Sequence, residues 1–137
     1  MSRGLKNNNP GNIRISTTKY LGEVQPSQDR SFKQFKEMRY GYRAMFVLLH
    51  SYQRKYGLKT IKQMIYRYAP PLDNNNTDGY VSRVSKDSGV DAAAEITATN
   101  KDVMIPVVAA MSAVENGVAA DMAEVQAGWK LFLDYLK

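Results

Sequence analysis

The chain has 137 residues, 44% of them hydrophobic, with a formal net charge of +6, one histidine and no cysteine. That length suits one domain with one core, burying roughly two thirds of the unfolded surface without a disulfide or metal. Disulfide frameworks and multi-ligand metal sites are excluded, no cofactor motif is present, and the charge favours an anionic partner such as nucleic acid, acidic lipid or a cell-wall polymer.

Taken in order, residues 1–36 form an Asn/Gly-rich lobe and residues 37–137 a helical lobe of the same single domain. The start carries no apolar stretch of signal-peptide length. The expectation is synthesis in the cytoplasm, with export or virion association by another route. Asn12–Ile15 and Tyr20–Val24 read as short strands joined by a turn at Ser16–Lys19, a small β-ribbon. Phe32 and Phe35 fold this region back onto the helices.

Tyr42, Met45, Phe46, Leu49 and Tyr52 then follow helical spacing up to a stop at Gly57. Thr60 caps a second helix carrying Ile61, Met64, Ile65 and Tyr68, which Pro70 and Pro71 end. Asn76 or Thr77 caps a third, stopped at Gly89. A fourth, starting near Met104 so that Pro106 lies in its first turn, runs to Gly117. A fifth covers about Asp121 to Leu136. The longest apolar runs, Met45–Leu49 and Met104–Met111, fall short of a membrane span. The fold class is α+β, mainly α.

Three segments could carry chemistry. In Asn7–Arg14, the amides of Asn8, Asn9 and Asn12 offer donors and acceptors suited to sugar hydroxyls, though Asn, Pro and Gly are also ordinary turn residues. In Tyr66–Val81, Tyr68, Asn75, Thr77 and Tyr80 flank a rigid diproline and could wall a sugar groove; a helix stop followed by a capped helix start explains part of the pattern. Glu115 ends an apolar helix just before Gly117, where the helix dipole disfavours a carboxylate, and partial burial would raise its pKa further. The plainer alternative is an exposed last-turn glutamate. Glu23, beside Gly22, could line a cleft, Glu37 supports the start of the long helix, and His50 is structural.

The residues Arg3–Arg14, Phe32-Lys33-Gln34-Phe35, Gly41-Tyr42-Arg43-Ala44 and Tyr68-Ala69-Pro70-Pro71 through Thr77 and Tyr80 resemble a phage-type family labelled structural protein P-five, over nearly the whole chain. Two fainter resemblances imply chemistry on a lysozyme-like fold. Asn8–Arg14, Gly22 and Phe32/Phe35 follow the order of the sugar-cleft strands in flagellar-type N-acetylglucosaminidases, with Asn12 inserted. Asn76–Val84 is similar to a stretch bordering the site of soluble lytic transglycosylases, with Asn in place of its Glu.

Those enzymes carry the catalytic glutamate on a helix ahead of the Asn-rich strand, which is where this chain starts. Either the site is lost, or the helix comes from the other end. Val107–Gly117 resembles that helix, and a circularly permuted arrangement would bring Glu115 beside Asn9 and Asn12. The resemblance then implies a peptidoglycan-cleaving glycosidase or lytic transglycosylase with Glu115 as general acid/base and, for a two-carboxylate hydrolase, Glu23 as partner. The competing reading is a non-catalytic virion or cell-wall-binding protein on the same scaffold. Neither involves a cofactor or metal. The partner is peptidoglycan or another cell-wall glycan, with other virion proteins in the second case. Nucleic acid is disfavoured because Lys and Arg are scattered along the chain without a recognition-helix cluster.

Overall fold

The computed structural model describes all residues, Met1–Lys137, as a mainly helical structure with six α-helices. They are α1 (Arg3–Lys6), α2 (Met38–Tyr56), α3 (Ile61–Tyr68), α4 (Thr77–Ser88), α5 (Lys101–Asn116) and α6 (Met122–Tyr135), with a 3-10 turn at Pro71–Asp73. Local chemistry explains most boundaries. The side chains of Thr60, Asn76 and Asp121 each accept a backbone N–H in the first turn of the helix that follows. This satisfies donors that the helix itself leaves free. Gly57, Gly89 and Gly117 close α2, α4 and α5 in the left-handed conformation. No helix is long and apolar enough to cross a membrane.

Two expectations need correction. The fourth predicted helix does not wait for Met104: α5 starts at Lys101, leaving Pro106 inside it. The Asn100 side chain caps Asp102 N, and the Asn100 carbonyl accepts from Met104 N at 2.9 Å. Capping and burial of Met104 and Ile105 together outweigh an interior proline, whose cost in an exposed helix is about 3 kcal/mol.

The predicted ribbon is absent as well. Its two arms do not pair with each other but each makes one isolated antiparallel bridge to a third segment, Arg14 with Phe32 and Glu23 with Phe35. Asn9 accounts for this arrangement. Its fully buried amide donates to the carbonyls of Ile13 (3.0 Å) and Lys33 (2.9 Å) and accepts from Ile13 N. The first arm is thereby pinned to residues 31–36 instead of to its neighbour in sequence. The α1 helix and the 3-10 turn, too short to show a period, had no sequence signal.

The core runs through all the longer helices. α2 packs mainly on α6 and α4 mainly on α5. Trp129 meets Phe46 edge-on at 5.0 Å, and Phe132 closes the cluster. His50 packs edge-on against Phe132 at 5.7 Å, where burial lowers its pKa. The α2–α6 crossing depends on Gly128. A Cβ there would lie 2.7 Å from Tyr42 Cβ and 2.9 Å from Arg43 N. We expect Gly128→Ala to force the helices apart at a cost of about 1–3 kcal/mol, against a helix-propensity gain of about 1. A thermal melt should show a midpoint lower by several degrees.

Candidate functional site

The site is assembled from opposite ends of the chain. Asn12, with φ at 49°, occupies the left-handed region that asparagine tolerates better than most residues. From there its Nδ2 donates to Glu115 Oε1 at 2.9 Å. The Tyr80 hydroxyl, from the first turn of α4, donates to Glu115 Oε2 at 2.9 Å. The next residue, Asn116, secures the seam. Its Nδ2 donates to the carbonyls of Pro10 (2.8 Å) and Ser112 (2.9 Å), and its Oδ1 accepts from the Ser2 hydroxyl at 2.6 Å.

These contacts define the carboxyl's electrostatics. Burial is the largest influence and raises the Glu115 pKa; the donors Asn12 and Tyr80 and the charge of Arg14 pull it down without cancelling the rise. The position in the last turn of α5 adds the negative end of the helix dipole. Tyr80 is held well above the usual phenol range by its own burial and by Glu115, so it remains a donor throughout the neutral range. Tyr68 is raised likewise, and its hydroxyl donates to the Gly11 carbonyl, bracing the Asn-rich turn against α3.

Glu115 lies between two hollows. One, of about 390 Å³, is lined among others by Asn12, Arg14, Tyr68, Asp73 and Asn75. The other, of about 430 Å³, is lined by Asn75, Asn76, Tyr80 and Arg83. Glu115 and Asn75 line both, so the two hollows adjoin at the carboxyl.

Most of the remaining candidates fall elsewhere. Glu23 is not in the groove: its side chain is 6% accessible and pairs at 3.0 Å with Lys33, which is 1% accessible. Asn9 is fully buried, and Asn8 spends its amide on the carbonyls of Phe35 and Lys36. Thr77 is buried, with its hydroxyl donating to Ala69 O at 2.6 Å. Asn75 donates to Pro70 O at 3.1 Å and stays exposed on the groove wall. Glu37 occupies the position before α2 without a capping bond from its side chain. Sequence reasoning missed Arg14, Asp73 and Arg67 as lining residues. Asp73 and Arg67 lie within or beside the diproline segment, but no spacing rule separates them from solvated charges. No group of three or more acidic or histidine side chains is placed to hold a metal ion.

A helical protein with a half-buried acid at the centre of an amide-lined groove is therefore the class that fold and site define, and comparison with known proteins adds its origin. The chain belongs to the same phage protein family as Protein P5 of Pseudoalteromonas phage PM2, with 34% identity over 119 residues, covering 85% of this chain and 72% of that protein. No family model matches the chain.

Proposed function

We propose that this phage-family protein cleaves the glycan strands of peptidoglycan, with Glu115 as general acid, on a circularly permuted lysozyme-like scaffold. The observation that carries the reading is the environment of Glu115: an acid shifted upward by burial, held by two neutral donors, at the floor of an open groove. A general acid must be protonated near the working pH and within reach of the leaving oxygen; burial favours the first against the pull of the two donors, and the open groove favours the second.

In the reaction the Glu115 proton goes to the bridging glycosidic oxygen as the C1–O bond breaks. The resulting carboxylate then takes a proton from the nucleophile that closes on C1. A hydrolase places water there and needs a second carboxylate across the sugar. A transglycosylase uses the sugar's own C6 hydroxyl and can work with one acid. The burial of Glu23 against Lys33 supports the second route, since that carboxylate lines neither hollow. Asn12, Tyr68, Asn75 and Tyr80 are the residues in this reading that border the sugar, whereas Asn8, Asn9 and Thr77 shape the walls.

The test is digestion of purified peptidoglycan with product masses read by spectrometry. Soluble fragments one water lighter than hydrolysis products support the single-acid route. Hydrolysed fragments would instead direct attention to Asp73 as the second acid. Intact walls, with the protein bound to them, would overturn catalysis and favour a wall-binding or virion role, in which Asn12 and Tyr80 merely satisfy a structural carboxylate.

Tyr80→Phe gives a pH test. The lost donor stabilises the ionised carboxyl, so its removal raises the Glu115 pKa further. The alkaline limb of the cleavage profile should move to higher pH than in the parent. An unmoved limb would mean that another group supplies the proton.

A further inference from the structure

The largest hollow on the molecule is not the one over Glu115. It has a volume of about 760 Å³ and lies beside that cleft, sharing Leu48, Tyr52, Arg67 and Pro70 with it. Its charge is one-sided. Lys19, Arg43, Arg54, Lys55 and Arg67 line it, and no acidic residue does. None of these five is in an ion pair, although six pairs occur elsewhere in the molecule. The Arg43 Nε is buried without a hydrogen-bond partner. Such a donor costs free energy unless something accepts from it.

Two of the cations are also held in place. The Arg67 guanidinium lies 3.7 Å from the centre of the Tyr56 ring and 5.4 Å from that of Tyr52, and Arg43 lies 5.5 Å from that of Tyr135. Stacking fixes a guanidinium plane while leaving its edge donors free, the arrangement that takes a carboxylate or phosphate in bidentate fashion. The charges are scattered in sequence and converge because one face of α2 from Arg43 to Tyr56, the end of α3 and the loop at Thr18–Leu21 meet here.

The distribution of charge selects among anions. Beyond Arg67 the groove carries mixed charge, with Arg14 set against Asp73 and the acid Glu115, so a polymer with charge on every unit would meet carboxyl groups at that end, which the basic hollow does not offer. A strand with an uncharged backbone and anionic branches suits both ends. We propose that the basic hollow holds the carboxylate-bearing peptide branch of a glycan whose sugars cross Glu115, making the preferred substrate a peptide-substituted strand. This rests on the glycan-cleaving reading and specifies which form of the glycan is recognised.

The test uses the full chain carrying Glu115→Gln, which binds without turnover, and measures its retention on two wall preparations. One is intact peptidoglycan; the other is the same material stripped of its peptides by an amidase. Retention on intact walls should be stronger, and Arg54→Ser with Lys55→Ser should weaken it roughly tenfold, the equivalent of 1.4 kcal/mol. The same pair should change retention on stripped walls little. Lys19→Glu, on an exposed loop, should act in the same direction and guards against a folding defect at the end of α2. Equal retention on both walls, with the parent still cleaving them, would overturn the peptide subsite and leave the proposed function standing. Absence of cleavage, with the preference for intact walls retained and sensitive to these variants, would remove the function but keep the subsite. Tighter binding to a single-stranded oligonucleotide than to either wall, lost in the same variants, would overturn the assignment in favour of nucleic acid.

Discussion

Glu115→Gln should lower glycan cleavage by about 10²–10⁴-fold, the usual contribution of a positioned general acid. The fold should survive, because the site can absorb the change. Asn12 Oδ1 is now buried without a partner, so a half-turn of that amide presents an acceptor to the new Gln amide, while Tyr80 continues to donate to Gln Oε1. The stability effect has a definite sign. A carboxyl whose pKa is higher folded than unfolded binds more protons in the folded state, so its contribution declines as pH rises from the ordinary carboxyl range through the raised value. The glutamine does not titrate. Thermal melts near pH 4 should therefore show parent and variant close together, and melts near pH 8 should show the variant gaining on the parent. A variant that loses activity and unfolds equally at both pH values would indicate a structural role for the carboxyl.

Glu23→Gln should do the reverse, damaging stability far more than chemistry. Lys33 is enclosed: its ammonium reaches Glu23 at 3.0 Å and donates to the Thr18 carbonyl at 2.8 Å, with the Tyr20 ring 5.6 Å away. Removing one partner of a buried pair leaves the other charge without compensation and costs about 3–5 kcal/mol. The melting midpoint should fall by roughly 10–20 °C at this chain length. Below the transition, cleavage per folded molecule should stay within a few-fold of the parent. A loss of turnover matching that of Glu115→Gln, with the fold intact, would restore Glu23 to the reaction.

These two glutamates mark what could be read from the residues alone. Helix ends were legible at Thr60, Asn76, Gly57 and Gly89, because capping involves atoms only a few positions apart, but not at Asn100, where Pro106 pointed to a later start. The assignment of Arg14 and Glu23 to partners in residues 31–36 was not, since a hairpin between neighbouring arms has the same alternation as two arms each paired with a third segment. Burial of Lys33 was equally hidden: a lysine beside two phenylalanines reads as a solvated position until its anion is known. The approach of Asn12 to Glu115 was suggested by the order of motifs in the resembling glycosidases. Composition and periodicity hold no information about a contact of that reach. The cationic hollow was obscured for the same reason, being dispersed along α2, α3 and a loop.

The hydrogen bond from Asn12 to Glu115 joins positions 103 residues apart. A ribosome has therefore to produce nearly the entire domain before the acid acquires the neighbours that tune it. Fragments released early, or chains severed between the two positions, would hold one half of the arrangement each. An architecture closed over so long a loop delays completion of the acid's surroundings until synthesis is almost finished.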